Sequence, residues 1–253
     1  MHRFFVPAEL LENVASGSII SLPDKIAHQV RDVLHLAVNE QLVLLDNSGW
    51  EYVSSINKAS KAGVEVQVIE RRTGKAESPV NIILCQGLLK SARFEWVLEK
   101  GTELGVSTFA PILCRRSMSG LEDAGSAKLQ RWQRILQEAT EQCGRTRIPE
   151  LLPIHPLIHA LNDIPNDALA IMPWEEERGK SLRDVLQASK RDPLSKQTVV
   201  AFIGPEGGLM AEEVQLAQRY NVQAVTLGQR ILRAETAALA TIANIMYELD
   251  PML

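Results

Sequence analysis

Short apolar runs alternate with amphipathic helical patterns from residue 80 to the end of the chain. The apolar runs cover residues 80–85, 109–113, 168–172, 199–203 and 224–227. The helical patterns cover residues 92–104, 127–142, 180–188, 211–220 and 235–249. Strands that alternate with helices of this length are joined by crossover connections and run in the same direction. The pattern therefore predicts an α/β domain with a mostly parallel sheet.

The first 72 residues have a different pattern and indicate a small β-rich unit. Strands are predicted at residues 41–46, 50–57 and 63–69. One helix is predicted over residues 24–34, with Asp24 as its N-cap. Residues 73–79 are polar and contain Gly74 and Pro79, which is typical of a linker. We therefore expect one domain over residues 1–72 and a second over residues 80–253.

Composition narrows the classes of protein to which the chain can belong. Its three cysteines are widely spaced, which favours reduced thiols in a cytoplasmic protein over disulfides or a zinc site. No apolar run is long enough to cross a membrane, so we expect no membrane association. His155 and His159 are separated by Pro156 and form no known metal motif, so no metal is expected. The net charge of −4 gives no general electrostatic reason for nucleic-acid binding.

Two glycine-containing turns follow apolar runs late in the chain. The first is GPEGG at 204–208, and the second is Leu227-Gly228, which leads towards Arg230 and Arg233. Backbone without bulky side chains at the end of a strand can approach a ligand closely. The first turn has neither the Lys-Ser/Thr of a Walker phosphate loop nor the spacing of a dinucleotide fingerprint. Taken alone, it is equally compatible with a tight structural turn.

Basic residues occur in small local groups. Lys90 and Arg93 lie at the start of the helix predicted over 92–104, where cations oppose the helix dipole, and they hint at an anionic ligand. An RNA-binding surface would have to be a local patch of this kind, and the alternative is solvated surface charge. The candidates for phosphate contacts are Arg3, Lys90, Arg93, Arg115, Arg116, Arg145 and Arg147.

Four segments together resemble one protein family. They are LLKSARFEWVLEKGTELGV at 88–106, EQCGRTRIPE at 141–150, GPEGG at 204–208 and LGQRILRAETA at 227–237. They are similar to the ribosomal RNA small subunit methyltransferase E family, the bacterial 16S rRNA uridine-N3 methyltransferases of the SPOUT class. The resemblance runs through almost the whole chain in the same order, and the last two segments are its most specific part.

The resemblance implies a fold and a cofactor. The fold would be a PUA-like β-barrel that binds RNA, followed by a SPOUT domain with helices on both faces of its sheet and a deep C-terminal trefoil knot. The protein would be a homodimer that binds S-adenosylmethionine in the knot. By the same resemblance, the cofactor-binding residues are Met172, Pro173, Gly204, Pro205, Glu206, Gly207, Gly208, Leu227, Gly228, Ile231, Leu232, Arg233 and Thr236.

The resemblance also implies an activity, the methylation of N3 of uridine 1498, in the standard 16S rRNA numbering, on the assembled small ribosomal subunit. Loss of the N3 proton leaves negative charge shared with the carbonyl oxygens of the uracil. Arg233 is the candidate catalytic residue, because its guanidinium would stabilise that charge. Its alternative role is a salt bridge to Glu235 or to a partner subunit. No general base is evident.

Other functions remain open. A related SPOUT enzyme could methylate a different RNA base or a ribose 2′-oxygen with the same cofactor loops. A non-enzymatic RNA-binding assembly factor would also have a barrel, and a nucleotide-dependent oxidoreductase is a more distant alternative. Three places depart from the family's pattern: His35, residues 38–40, and Met210, where a Ser or Thr usually caps the helix. The cap of that helix is therefore expected to be lost or moved.

Overall fold

The computed structural model describes residues 1–117, 125–189 and 197–251, which form two compact units. The N-terminal unit comprises Met1–Glu77 together with Thr140–Ile148, and the C-terminal unit comprises Ser78–Ala139 and Pro149–Leu253. The N-terminal unit thus extends past the predicted boundary at residue 72 and takes in a segment from much later in the chain. Most of the predicted linker at 73–79 belongs to it.

The N-terminal unit is built on a five-stranded sheet. Its strands are β1 (His2–Phe5), β2 (Ile19–Ser21), β3 (Gln41–Leu45), β4 (Trp50–Ser60) and β5 (Gly63–Thr73), in the order β1-β3-β4-β5-β2. β1 pairs with β3 in parallel, and the other neighbours are antiparallel. The three predicted strands are confirmed as β3, β4 and β5. β4 and β5 continue several residues beyond the prediction.

The helix of this unit begins at Asp24, as predicted, but its N-cap lies one residue earlier than expected. Helix α1 (Asp24–His28) continues into a π-helical turn over Gln29–Val33. Its N-cap is Pro23, with φ −55° and ψ 145°, so the prediction of Asp24 as N-cap was wrong. Asp24 lies in the first turn instead, where a carboxylate interacts favourably with the helix dipole. The ring of Pro23 fixes the backbone angle at the helix entry.

The C-terminal unit confirms the predicted mostly parallel α/β sheet. Its strands are β6 (Val80–Gly87), β7 (Val106–Leu113), β8 (Glu150–Leu151), β9 (His155–Pro156), β10 (Leu169–Pro173), β11 (Gln197–Ile203) and β12 (Gln223–Val225). The order is β12-β10-β11-β6-β7-β8, with β9 also on β7, and each of these pairs is parallel. β8 and β9 were not predicted, because two residues are too short to produce a hydrophobic pattern.

Among the residues that the structure describes, six helices accompany this sheet. They are α2 (Ser91–Glu103), α3 (Ser126–Cys143), α4 (Leu157–Asn162), α5 (Leu182–Ala188), α6 (Ala211–Arg219) and α7 (Ala234–Leu249). All except α4 were predicted. The last residues of α3, from Thr140, belong to the N-terminal unit. No helix of the described residues has the length and hydropathy that crossing a membrane requires.

Successive residues of the central strands point to opposite faces of the sheet. Val200 and Phe202 share a buried cluster with Leu157 of α4 and Val214 of α6. Ala201, between them on the chain, is also fully buried but lies outside that cluster. α7 packs against β6 and β11, and α2 packs against α7. Helices therefore cover both faces of the sheet, and most residues of the central strands are apolar, as expected for a buried parallel sheet.

The start of α6 shows how the chain compensates for Met210. The carboxylate of Glu213, in the first turn, accepts a hydrogen bond from the Met210 amide at 2.9 Å. The same carboxylate accepts a second bond from the Arg115 amide, also at 2.9 Å. The expected loss of the Met210 side-chain cap is thus compensated by Glu213, which binds the free backbone at the helix entry and ties the end of β7 to it.

Candidate active site

A cavity of about 340 Å³ lies at the carboxyl ends of three adjacent parallel strands of the C-terminal unit. These strands are β12, β10 and β11, and the loops that follow them line the cavity. Ligands of open α/β sheets bind at this edge, because the loops there converge. The first turn of α7 closes another side. Both glycine turns predicted from the sequence therefore reach one pocket.

The first glycine turn is tight and leaves little room for side chains. The Gly208 amide donates to the Pro205 carbonyl at 2.9 Å, and Gly208 has φ +71°, which favours glycine. A Cβ on Gly207 would lie 2.9 Å from the Cβ of Arg116. Arg116 also donates from Nη1 to the Gly207 carbonyl at 3.0 Å. Glycine is therefore required here by backbone conformation and by close packing.

Gly87, at the end of β6, lies directly against this turn. Its role was not identified from the sequence. A Cβ at Gly87 would lie 2.5 Å from the Pro205 nitrogen and 2.8 Å from the Gly204 carbonyl carbon. These neighbours are backbone atoms and cannot rotate away. The side-chain amide of Gln86 donates to the Gly204 carbonyl at 3.4 Å. Only glycine at position 87 allows the turn to lie against β6.

The second turn begins earlier than predicted, because β12 ends at Val225 rather than at Leu227. The Gly228 amide donates to the Thr226 hydroxyl at 3.1 Å, and Gly228 has φ +115°. The Trp174 amide donates to the Val225 carbonyl at 3.0 Å, so the chain after β10 follows the end of β12. The two loops are thereby held side by side along the cavity.

One arginine lies between two carboxylates at the cavity. Arg93 Nη1 is 3.6 Å from Oε1 of Glu206, and Arg93 Nε is 3.7 Å from Oε1 of Glu235. Glu206 also accepts from the Lys90 amide at 3.0 Å, at the start of α2. Of the two cations predicted at this helix terminus, Arg93 therefore already faces carboxylates of the chain itself, whereas Lys90 contacts Glu206 only through its backbone amide.

Two polar atoms of the cavity-lining residues are buried without a hydrogen-bond partner among the residues that the structure describes. They are the indole nitrogen of Trp174 and Oε2 of Glu235. Buried polar atoms are nearly always paired in folded proteins. An unpaired donor and an unpaired acceptor beside one cavity are typical of a site that is completed by a ligand or by water.

Arg233 is the N-cap residue of α7 and lines the cavity with an exposed side chain. Within the described part of the chain, its guanidinium has no ion pair. The alternative salt bridge from Arg233 to Glu235 is not formed, since Glu235 faces Arg93. Arg178 and Arg230 also line the cavity. Arg178 donates from Nη1 to the Glu175 and Glu177 carbonyls. Arg230 and Arg233 have no ion pair among the described residues, and their guanidinium groups suit a ligand or transition state that carries negative charge.

The structure brings together most of the predicted cofactor residues. Those that line the cavity are Pro173, Gly204, Pro205, Glu206, Gly207, Gly208, Leu227, Gly228, Ile231, Leu232 and Arg233. Met172 is fully buried within β10, and Thr236 is exposed in the first turn of α7, so neither lines the cavity. Lining residues that the sequence did not identify include Trp174, Glu175, Arg178 and Thr226. The sequence marks these residues only by their position near the end of a predicted strand or after it.

The predicted phosphate contacts of the C-terminal unit are Lys90, Arg93, Arg115 and Arg116. The side chains of Lys90, Arg115 and Arg116 are exposed and form no ion pair with a carboxylate among the described residues. Arg93 is half-buried. Arg93 is partly occupied by the two glutamates of the cavity. The role of these residues in RNA binding stays a prediction.

The predicted phosphate contacts of the N-terminal unit differ in how far other groups of the chain already engage their guanidinium groups. Arg145 is buried, and its Nη2 lies 3.1 Å from Oε2 of Glu77. It is therefore unavailable to a phosphate, and its assignment as an RNA contact is corrected to a structural one. Arg3 is paired with Glu51 at 3.2 Å. Arg147 is exposed and donates to the Ser48 carbonyl, so part of its guanidinium remains accessible.

Comparison with known proteins identifies the family. The model of the RNA methyltransferase domain family matches residues 76–246, which include every residue of the cavity. A crystal structure of a ribosomal RNA small subunit methyltransferase E from Neisseria gonorrhoeae, bound to S-adenosylmethionine, is 34% identical over 100% of both chains, with a TM-score of 0.87. The chain belongs to the ribosomal RNA small subunit methyltransferase E family.

Two further similar proteins match this chain over nearly its full length. The ribosomal RNA small subunit methyltransferase E of Bacillus subtilis is 28% identical over 99% of this chain and 98% of its own. A Legionella pneumophila methyltransferase, solved with bound S-adenosylmethionine, is 28% identical over 97% of this chain and 96% of its own, with a TM-score of 0.81. The family match thus includes the N-terminal unit as well as the methyltransferase domain.

Proposed function

We propose that the chain transfers a methyl group from S-adenosylmethionine to N3 of a uridine in the 16S rRNA of the small ribosomal subunit. One observation carries this proposal: the two glycine turns and the loop after β10 converge on a single cavity. The likeness to the Neisseria gonorrhoeae enzyme, whose structure contains S-adenosylmethionine, supports the choice of cofactor.

The residues of the cavity fit this cofactor. Its volume of about 340 Å³ lies within the range of small-molecule sites. The unpaired Trp174 indole nitrogen is a donor and Glu235 Oε2 is an acceptor. Carboxylates and guanidinium groups both line the cavity, which suits a ligand with an ammonium, a sulfonium and a carboxylate. The glycine turns would hold the adenosine through main-chain groups.

The bound cofactor supplies a methyl group that its sulfonium has already activated. The remaining tasks, which are orientation and charge stabilisation, are assigned to this chain's residues. Uridine N3 lies on the pairing edge, so the base must be unpaired when it enters the site. As N3 loses its proton, negative charge spreads to the flanking carbonyl oxygens. We assign Arg233 to that charge, because its guanidinium is at the cavity and has no ion pair among the described residues.

We further infer the target and architecture that the family resemblance implies. The target is uridine 1498 on the assembled small subunit in the cytoplasm. The N-terminal unit acts as a PUA-like RNA-binding barrel, and the C-terminal unit as a SPOUT domain with a trefoil knot in a homodimer. Exposed apolar side chains on the C-terminal unit, notably Tyr247 of α7 at 78% and Trp96 of α2 at 42%, suit a subunit interface. The proposed phosphate contacts are Lys90, Arg115, Arg116 and Arg147, which are exposed.

Mass mapping of methylated nucleosides tests this function. The chain is incubated with isotope-labelled S-adenosylmethionine and either isolated 16S rRNA or the assembled small subunit. We expect labelled N3-methyluridine at a single position, with the assembled subunit as the better substrate. A labelled ribose 2′-O-methyl nucleoside or another methylated base would instead establish the alternative SPOUT activity. Cofactor binding without transfer to either substrate would contradict the proposed reaction.

A further inference from the structure

The start of α2 has an unusual charge arrangement. Lys90 is its N-cap, and Arg93 lies in its first turn, where no acidic residue is present. Cations in this place are unfavourable to the helix dipole. Glu206 compensates from another element, since its carboxylate accepts from the Lys90 amide at 3.0 Å. The turn after β11 is therefore connected to the start of α2 through this one glutamate.

Arg93 extends this connection to a third element. Its guanidinium lies 3.6 Å from Glu206 and 3.7 Å from Glu235, which belongs to the first turn of α7. Both distances exceed those of normal hydrogen bonds, so charge rather than hydrogen bonding holds the three groups. The Glu235 side chain is only 13% exposed, and its Oε2 has no partner among the described residues. A carboxylate this buried requires a nearby positive charge.

We propose that Arg93 is a positioning residue that sets the distance between the 204–208 turn and the start of α7. Its guanidinium keeps Glu206 and Glu235 on either side of one positive charge and so maintains the cavity before a ligand enters. This inference rests on the proposed function in one respect, since S-adenosylmethionine is taken as the ligand of the cavity. It replaces the prediction that Arg93 contacts an RNA phosphate.

Removal of the guanidinium has a defined consequence. In Arg93→Ala, Glu206 and Glu235 face each other without the shared cation, and their repulsion separates the 204–208 turn from the start of α7. We expect the affinity for S-adenosylmethionine to fall about tenfold, as for loss of a partner in a partly buried charge pair. KM for the cofactor should rise while kcat at saturation changes little, because the effect is on binding. Arg93→Lys should restore part of the affinity, since it retains the charge.

A second substitution separates repulsion from loss of packing. In the Glu235→Gln background one of the two opposed charges is absent, so Arg93→Ala has less to disturb. We expect the same Arg93→Ala change to weaken cofactor binding much less in this background than in the natural chain. A double-mutant cycle measures the difference directly. An arginine that acts only through packing, or only on RNA, would give the same effect in both backgrounds.

Calorimetric titration with S-adenosylmethionine tests the inference on the natural chain, Arg93→Ala, Arg93→Lys, Glu235→Gln and the double variant. Arg131→Ala is the matched control, because Arg131 of α3 pairs at 2.7 Å with Glu95 of α2, the helix that contains Arg93, and does not line the cavity. Thermal unfolding confirms that each variant is folded. Unchanged affinity in Arg93→Ala overturns the inference, and weakened binding of 16S rRNA alone identifies a phosphate contact instead.

The proposed function and the inference fail in different ways. If the natural chain binds no S-adenosylmethionine, the proposed function is contradicted. The positioning role of Arg93 between Glu206 and Glu235 is then tested by thermal unfolding. A lower unfolding midpoint in Arg93→Ala that recovers in the double variant supports this role. No recovery in the double variant overturns it.

Discussion

The glutamates of the two units are paired with arginines to different degrees. In the N-terminal unit, the buried Glu51 is contacted by Arg72 at 2.8 Å and by Arg3 at 3.2 Å. Glu77 accepts from the amides of Thr146 and Arg147 at 2.8 and 2.9 Å and pairs with the buried Arg145. In the cavity of the C-terminal unit, two glutamates share the single Arg93, at longer distances.

The paired glutamates of the N-terminal unit and the two glutamates of the cavity have different roles. Fully paired buried charges fix one conformation, and removal of one partner leaves the other uncompensated. In the N-terminal unit, Glu77 in this way attaches residues 145–147 to the segment that follows β5. Incompletely paired groups at a cavity stabilise the free protein less and remain available to a ligand. We therefore expect substitutions in the first set to change stability and substitutions in the second to change function.

Arg233→Ala should show the largest effect and tests the functional side of this comparison. Loss of a charge-stabilising group in the transition state lowers kcat by roughly 10²–10³-fold. Cofactor binding should remain detectable, since the turns are intact. Single-turnover methylation and calorimetry measure the two quantities. Arg219→Ala, which removes an exposed arginine of α6 outside the cavity, is the control. Normal turnover in Arg233→Ala would eliminate the catalytic assignment.

Glu77→Ala tests the structural side. It leaves the buried Arg145 without its carboxylate and frees two backbone amides, so the free energy of unfolding should fall by about 3 kcal/mol. Denaturant unfolding measures this change. Glu95→Ala removes the more exposed pair with Arg131 and should cost less than about 1 kcal/mol. Equal losses in the two variants would show that pairing and burial do not distinguish these glutamates.

Gly87→Ala separates the geometry of the cavity from its charges, because it disturbs the cavity without changing a charge. The new methyl group meets the backbone of Pro205, and overpacking of this kind costs about 1–3 kcal/mol. We expect weaker binding of S-adenosylmethionine together with a lower unfolding midpoint. Gly125→Ala, where a Cβ meets nothing within 4 Å, is the matched control. Full cofactor affinity in Gly87→Ala would show that the turn does not depend on β6.

The smallest effect is expected for the cysteines, which test burial in the two units. Burial raises the pKa of the Cys85 thiol to about 12, and burial also raises the pKa of Cys114. Both thiols should therefore be protonated at a pH of about 8 and react slowly with a thiol reagent. Cys143, which is only partly buried, should react first. Three equally fast reactions would contradict the described packing of the C-terminal core.

The sequence predicted the long elements well, because their hydrophobic periodicity is strong. β6, β11, α2 and α7 were found within a few residues, and both glycine turns were correctly related to strand ends. Short elements such as α4 were missed, since its six residues make fewer than two helical turns and give little periodicity. The addition of residues 140–148 to the N-terminal unit could not be predicted, because it depends on contacts of Glu77 with distant residues.

The site was predicted only in part, for a similar reason. Glycine and arginine in the two turns gave a local signal that a ligand approaches the backbone. Gly87 gave none, because its importance comes from the chain that lies against it. Arg93 was recognised as a misplaced cation, but the anions that it faces are Glu206 and Glu235, far away in the sequence. Pairings of this kind emerge only in the folded chain.

Hydrogen–deuterium exchange with and without S-adenosylmethionine tests most directly whether the cavity of the C-terminal unit is the cofactor site. We predict slower exchange of amides in residues 204–208 and 226–233 when the cofactor is added, with the amides of β3 and β4 in the N-terminal unit unchanged. Protection confined to the N-terminal unit, or binding detected by calorimetry without protection of either glycine turn, would contradict the account.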